Sequence, residues 1–309
     1  MAIQYNKLFK LLEERAILKT ELKKGIGISS ATMAKLTKNE PVSLKVIEDI
    51  CGFLHCQPGD IMEMEQELQS ERPLLKLLKE EKEMKLKGGL YHQTQIKLAY
   101  NSNRIEGSIL SEEQTRYIYE TNTIAMPKEE ATPIDDIIET INHFQCFDYM
   151  IDVADQELTE EMIKVFHRLI KSNTSDSRKE WFKVGDYKAK PNMVGENRTV
   201  SPGKVKGEMA KLLADYASLE AVQFEDIIAF HHQFESIHPF QDGNGRVGRI
   251  ILFKECLRWG IVPFVIDERH KLFYYRGLKE FETAKGYLMD TCYSAQDEYK
   301  KLVDYFMEE

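Results

Sequence analysis

The sequence predicts a mainly α-helical protein built from two modules, a small all-α one at the N-terminus and a larger helical one with a short β-hairpin. Three observations carry that prediction. Apolar residues recur at helical spacing through most of the chain, as in Ile137, Ile138, Ile141, Phe144, Phe147 and Met150. One stretch alternates like paired strands, around the turn residues Gly195, Glu196 and Asn197. The net charge of −9 is uneven: residues 1–65 hold nine Lys/Arg and nine Asp/Glu, so the deficit lies in the rest of the 309 residues. The expected domains are 1–65 and 89–309, joined by a helical connector over 66–88.

Composition narrows the class. A chain that is 42% hydrophobic and 30% charged can bury an ordinary core. It has no run of eighteen apolar residues and does not open with a charged-then-apolar leader, so we expect a cytoplasmic protein with no membrane partner. Cys51, Cys56, Cys146, Cys256 and Cys292 are scattered, in apolar contexts and without a C-x-x-C pair, which points to buried, reduced thiols. The negative charge disfavours non-specific nucleic-acid binding over the whole surface.

Taken in order, residues 1–65 read as several short helices. Leu8, Leu11, Leu12 and Leu22 give the apolar period, and Lys19-Thr20-Glu21 opens a second segment. Ile26 to Ser29 form a turn, and Ser29 is a good N-cap for a helix from Ser30 to Lys38. Asn39-Glu40-Pro41 ends it. Ser43 then caps a helix running through Cys51 and Leu54. Helix, glycine-containing turn, helix is the helix-turn-helix pattern. Residues 63–88 keep a stripe of Leu74, Leu75, Leu77 and Leu78 and break at Gly88-Gly89.

Thr94 to Ile105 is helical in spacing, with Gly107 as its C-cap, and Ser111 with Gln114 begins the next helix in capping-box style. Glu106 sits at a helix C-terminus, where the dipole repels a carboxylate, so it wants a cationic partner. Ile134 to Val153 and a helix capped by Thr159 supply scaffold. The hairpin falls in Trp181 to Pro202. Lys271 to Leu278 is helical with Tyr274 and Tyr275 on different sides, one for the core and one free to meet a ligand base. Residues 284–309 read as a terminal helix.

The chemistry concentrates in His238 to Arg249, between apolar helices that contain Phe230, Phe234 and Ile237 before it and Ile250, Ile251 and Phe253 after it. Gly243 and Gly245 let backbone N–H groups turn into one concavity at the start of the second helix, an anion cradle. Arg246 and Arg249, three residues apart, share a helix face. Asp242 is a hard oxygen ligand suited to magnesium shared with phosphates, and His238 can accept a proton near neutral pH. His231, Glu235 and His238 also share a face, but not at the spacing of a zinc helix. A structural helix-loop-helix, or a nucleotide-binding relic, is the bland alternative.

This stretch resembles the Fic-family signature H-x-F-x-D/E-G-N-G-R-x-x-R at every fixed position: His238, Phe240, Asp242, Gly243, Asn244, Gly245, Arg246 and Arg249. The resemblance implies a multi-helix Fic domain with a β-hairpin flap, acting as a protein adenylyltransferase that moves AMP from Mg2+-ATP to a Ser, Thr or Tyr hydroxyl of a protein. His238 would be the base and Asp242 the metal ligand. Gly243, Asn244, Gly245, Arg246 and Arg249 would hold phosphates, and Phe240 would anchor the loop. Lys190, Asn192, Met193, Val194, Thr199 and Val200 fall in the flap that would hold the target. Ser102-x-x-x-Glu106-Gly107 is similar to the family's inhibitory motif, implying that Glu106 pairs bidentately with Arg249 and holds the enzyme off. Alternatively Glu106 positions water for AMP removal. Tyr274 and Tyr275 resemble an adenine pocket, although Glu282 stands where an Asn is common.

Residues 5–62 resemble lambda-repressor-like domains, which would present Ser29, Ser30, Thr32, Lys35 and Lys38 to DNA. With nine basic and six acidic side chains in residues 1–50, protein contact or a homodimer stays open beside DNA. Expected partners are ATP, a protein bearing a hydroxyl, the chain itself through auto-modification, and DNA. Transfer of another phosphate-containing group, or a DNA-binding regulator that only senses nucleotide, are the rival readings.

Overall fold

The computed structural model describes residues 2–15, 17–65, 72–125, 131–195 and 197–307, which form two compact units, Met1–Glu71 and Arg72–Glu309. Unit 1 runs β1 (Ala2–Gln4), α1 (Asn6–Glu14), α2 (Lys19–Gly25), α3 (Ser30–Thr37), α4 (Leu44–Leu54), α5 (Pro58–Ile61) and β2 (Glu63–Glu65). Its core is Tyr5, Leu8, Leu12, Leu22, Leu36, Ile47, Ile50, Leu54 and Ile61, the inward stripe of each helix. Ser29 caps α3 as its sequence predicts, its Oγ accepting from Thr32 N at 3.0 Å. Gly27 turns α2 into α3 at φ +69°, where a Cβ would be strained.

Three sequence expectations are corrected in this unit. Ser43 stands at the N-cap of α4, but its hydroxyl makes no capping bond. Unit 1 is not all helix: β1 pairs antiparallel with β2, Ala2 opposite Glu65. Pairs that short, far apart in sequence, leave no alternation to read. Cys51 and Cys56 are half-buried rather than sealed; only Cys146, Cys256 and Cys292 are fully buried.

Unit 2 comprises α6 (Pro73–Met84), α7 (Leu90–Ile105), α8 (Glu112–Thr121), α9 (Ile134–Asp152), α10 (Glu160–Lys171), β3 (Met193–Val194), β4 (Asn197–Arg198), α11 (Pro202–Ala217), α12 (Phe224–Ile237), α13 (Asn244–Arg258), α14 (Lys271–Glu280) and α15 (Gly286–Met307). The described part of the expected connector is thus scaffold: α6 puts Leu74, Leu75 and Leu78 into this unit's core. Residues 66–71 of that connector, Glu196 of the hairpin turn and residues 308–309 of the terminal helix lie outside the described residues. Helices α8 and α10 start where capping chemistry places them. Ser111 and Gln114 form the reciprocal capping box of α8, and Thr159 Oγ1 accepts from Met162 N at 3.2 Å.

The unit is organised around α13, whose residues from Asn244 to Leu257 are buried almost without exception. Helices α6, α7, α9, α10 and α12 all pack on it, enclosing its charged residues as well as its apolar ones. The expected β-hairpin is only two residues per strand, Met193 opposite Arg198 and Val194 opposite Asn197. Among the described residues no helix is long and apolar enough to cross a membrane.

Burying α13 also buries a charged pair. Lys254 Nζ lies 2.6 Å from Glu255 Oε1, and both side chains are sealed from water. Tyr216 Oη at 3.0 Å and Trp259 Nε1 at 3.2 Å donate to the other carboxylate oxygen. Removing one partner strands the other, so Glu255→Ala should destabilise unit 2 by about 3 kcal/mol. Trp181 and Trp259 both lie in this unit, so the urea midpoint followed by tryptophan fluorescence reads it directly; an unchanged midpoint would refute the assignment.

Candidate active site

The loop between α12 and α13 is held from inside. His238 ends α12 in the left-handed region at φ +53°, its N–H on Phe234 O at 2.9 Å. Phe240 is completely buried and stacks on His167 at 4.0 Å between ring centres, nearly parallel. His167 Nδ1 accepts from Gly185 N at 2.9 Å, so its Nε2 carries the hydrogen and donates to Asp242 O at 3.2 Å. Asn244 clips the loop shut: Oδ1 accepts from Phe240 N at 2.8 Å and Nδ2 donates to Phe240 O at 3.0 Å. Its amide therefore shapes the loop. Gly243 turns at φ +80° into the N-terminus of α13, and the Lys171 stem fills the space where a Cβ would point.

Arg246 and Arg249 of α13 are buried, and each is answered by acids from outside that helix. Arg249 is held at three points: Nε donates to Ser102 Oγ at 3.0 Å, and Nη2 donates to Ser102 O at 2.9 Å and to Glu106 Oε1 at 2.6 Å. The expected Glu106–Arg249 pair is present. It is not bidentate, because Ser102 takes the second edge of the guanidinium. Burial opposes ionisation of Glu106, but Arg249 and Arg246 outweigh it and hold the carboxyl below its ordinary range. Gly245 makes room for this, since a Cβ there would collide with Glu106 Oε1 and come within 2.9 Å of Arg249 Nη1. Gly107 leaves α7 at φ +104°, which favours glycine.

Arg246 ion-pairs with Glu139 of α9 and lies 3.4 Å from Asp242 Oδ2, while its Nε is buried without an acceptor. Lys171 Nζ sits among Glu139 Oε1 at 2.6 Å, Asp242 Oδ2 at 2.7 Å and Asp176 Oδ2 at 3.4 Å. Against the cost of burial, Lys171 and Arg246 pull the Asp242 carboxyl down to about 2. Among the described residues no group of three or more His, Cys, Asp or Glu is arranged for a metal, and His231 is instead bonded to Tyr274 Oη at 2.7 Å. Asp242 still fits a divalent cation of the magnesium type: it is an ionised, half-exposed carboxylate, and such cations take most of their oxygens from water and phosphates.

Behind Arg249 lies Glu235, with Oε1 sealed from solvent and unpartnered; burial pushes its carboxyl up to about 8. Tyr274 is core, which removes it from the expected adenine pocket, whereas Tyr275 is 43% exposed and donates to Ile105 O at 3.2 Å. Glu282 faces His232 Nδ1 at 3.8 Å.

His238 is half-buried with Nδ1 unpartnered, and burial together with the Lys188 charge pushes it down to about 4. Beside it, Met193 and Val194 of the hairpin are exposed, as is Lys190, while Val200 packs on the core. Asn192 Nδ2 donates to Phe240 O at 3.1 Å and Thr199 Oγ1 to Asn192 O at 3.0 Å, so these two tie the hairpin to the loop rather than face outward.

Ser30 and Lys35 on α3 of unit 1 and Lys38 at its C-terminal cap are exposed; Ser29 and Thr32 bond one another at 3.0 Å at the N-terminal cap. Sequence reading missed Glu139, Lys171 and Lys188. All three act across tens of residues, from positions where spacing carries no signal.

The N-terminus of α13, two buried arginines, an ionised carboxylate and a neutral histidine lie together, an arrangement with the charge and donors that a phosphate-bearing ligand requires. Comparison with known proteins agrees on the class. Residues 157–255 match the Fic/DOC family model, and residues 7–67 match the Cro/C1-type HTH DNA-binding domain. The chain therefore carries a Fic domain behind an N-terminal helix-turn-helix domain of that type. It is 25% identical over 194 residues to protein adenylyltransferase fic-1 of Caenorhabditis elegans, covering 61% of this chain and 37% of that one. With protein adenylyltransferase Fic of Drosophila willistoni it shares 28% over 187 residues, 58% of this chain and 35% of the relative. The chain thus spans little more than a third of the curated relatives it matches. A Fic domain containing signaling protein from Bacteroides thetaiotaomicron has the same fold, with a TM-score of 0.58 at 24% identity over 78% of this chain and 90% of its own. Fic-1 (residues 134–508) of C. elegans gives 0.56 at 16%, covering 96% and 98%.

Unit 2 encloses several neutral histidines. Burial pushes His143, His167 and His231 down to about 3, and His238 to about 4, from an ordinary 6.5. The unfolded chain therefore takes up protons first, and stability is lost as pH falls below about 6.5. The urea midpoint of unit 2 should drop between pH 7 and 5.5, the four histidines outweighing the opposite contribution of Glu235, whose raised carboxyl binds a proton in the folded state first; a flat midpoint over that window would overturn it.

Proposed function

We propose that unit 2 transfers AMP from Mg2+-ATP to a Ser, Thr or Tyr hydroxyl of a protein, and that the chain as folded holds this activity off with Glu106. The observation that carries the reading is the grip of Ser102 and Glu106 on Arg249. That grip occupies the guanidinium face a γ-phosphate would use. With the carboxylate withdrawn, Arg249 takes the terminal phosphate bidentately. The free Arg246 Nε and the N-terminus of α13 take the others. Asp242 would hold the magnesium ion, which when bound neutralises phosphate charge and helps orient the triphosphate.

His238, neutral at physiological pH, accepts the proton of the target hydroxyl. The hydroxyl oxygen bonds to the α-phosphorus, the bond to the β,γ-phosphates breaks, and pyrophosphate leaves. Exposed Met193 and Val194, with Lys190, are the edge on which an extended target segment lies. Tyr275 is the remaining aromatic candidate for the adenine. The Cro/C1-type match favours a second, compatible role, DNA contact through exposed Ser30 and Lys35 of α3 and Lys38 at its C-terminal cap.

The 309-residue chain incubated with magnesium and α-labelled ATP tests the reading. Wild type should label itself weakly or not at all, Glu106→Gly should label at least tenfold more strongly, and adding His238→Ala should abolish the label. Equal labelling of wild type and Glu106→Gly would remove Glu106 from its role. An absence of label in all three would move the assignment to AMP removal, where Glu106 positions water, or to nucleotide sensing.

A further inference from the structure

Lys188 is a buried lysine outside the signature, and its bonds converge on one histidine. Its backbone N–H donates to Pro239 O at 2.9 Å and its Nζ to Ile237 O at 3.4 Å, so it holds the carbonyls of the residues before and after His238, one through its backbone and one through its side chain. The same ammonium donates to Asn192 Oδ1 at 2.8 Å and Thr199 Oγ1 at 2.7 Å, the residues flanking the hairpin strands. Asn192 in turn donates to Phe240 O, and Lys190 N donates to Gln241 Oε1 at 3.2 Å. Lys188 itself is 3% exposed. An ammonium has three hydrogens, and here each finds an acceptor: two at the hairpin and one at the end of α12.

We propose that Lys188 is a positioning residue whose ammonium ties the base of the target-binding hairpin to the Ile237 carbonyl immediately before His238, so that the incoming hydroxyl and the base that deprotonates it are set in register by one side chain. This deepens the transfer reading and rests on it. The physical reason is proximity. An extended target lies along β3 and β4, and its hydroxyl must arrive within hydrogen-bond reach of His238. Two-residue strands have too few ladder bonds to fix that distance, so the knot beneath them must do so. Lys188 also faces His238 as a cation, against Glu106 from the end of α7 and Asp242 from the loop, whose charges act the other way. Its charge therefore helps keep His238 free of a proton.

The test uses the full chain carrying Glu106→Gly, with self-labelling by α-labelled ATP as the activity and 15N-histidine NMR as a second readout. The His238 signal is identified by its loss in His238→Gln. Lys188→Met should cut the labelling rate about 100-fold without changing the apparent KM for ATP, and should move the His238 titration upward. Lys188→Arg should restore part of the rate and return the titration. An unchanged rate and titration in Lys188→Met would overturn the proposal. So would a rate lost through a raised KM for ATP with the His238 titration unmoved, since that marks a merely structural prop. If the parent Glu106→Gly chain fails to label, the transfer reading falls, and the NMR titration still decides whether Lys188 governs His238.

Discussion

Two guanidiniums buried on one helix constrain everything around them. Arg246 and Arg249 lie on α13, which is enclosed on nearly every side. A buried cation without an anion costs several kcal/mol, so the fold must bring carboxylates to them from elsewhere. It does so from two directions. The C-terminus of α7 delivers Ser102 and Glu106 to Arg249, and α9 delivers Glu139 to Arg246. Glu106 is thereby relieved of an unfavourable place at a helix end, and Arg249 of isolation.

The second direction has a further consequence. Glu139 is shared between Arg246 and Lys171, and Asp242 is shared between the same two cations. Four charges thus form a closed ring at the mouth of the cradle. Any phosphate or divalent cation arriving there meets paired groups rather than a bare field, and binding becomes an exchange of partners.

Much of this was legible in the sequence, and the reason differs from part to part. Helices with strong apolar period and well-chosen caps, such as those begun by Ser29, Ser111 and Thr159, follow from local chemistry. The loop was legible because its glycines, arginines and histidine lie within a dozen residues and their spacing is itself the geometry. Ser102 and Glu106 were legible by resemblance and by the helix-end argument. The ring partners were not. Glu139 and Lys171 look like ordinary solvated charges in their own helices, and only packing brings them together. The bidentate geometry was not legible because Ser102, one turn before Glu106 on α7, takes the second edge of the Arg249 guanidinium, and the internal bonds of Asn244 were not legible because polar groups inside a tight loop are first claimed by its own backbone. The β1–β2 pair escaped because three residues give no period.

Gly245 draws a final consequence from the crowding around Arg249. Because the glutamate and the guanidinium meet over the one position with no side chain, their pairing is conditional on an absence of atoms. The chain has two chemically unrelated ways to lose the contact: deletion of a carboxylate, or addition of a single methyl group on a neighbouring turn. A contact that can be broken from either side of its own interface is mutationally fragile in a way its short distance does not suggest. That fragility sits inside the cradle itself, where the same bare position also lets a ligand approach the backbone.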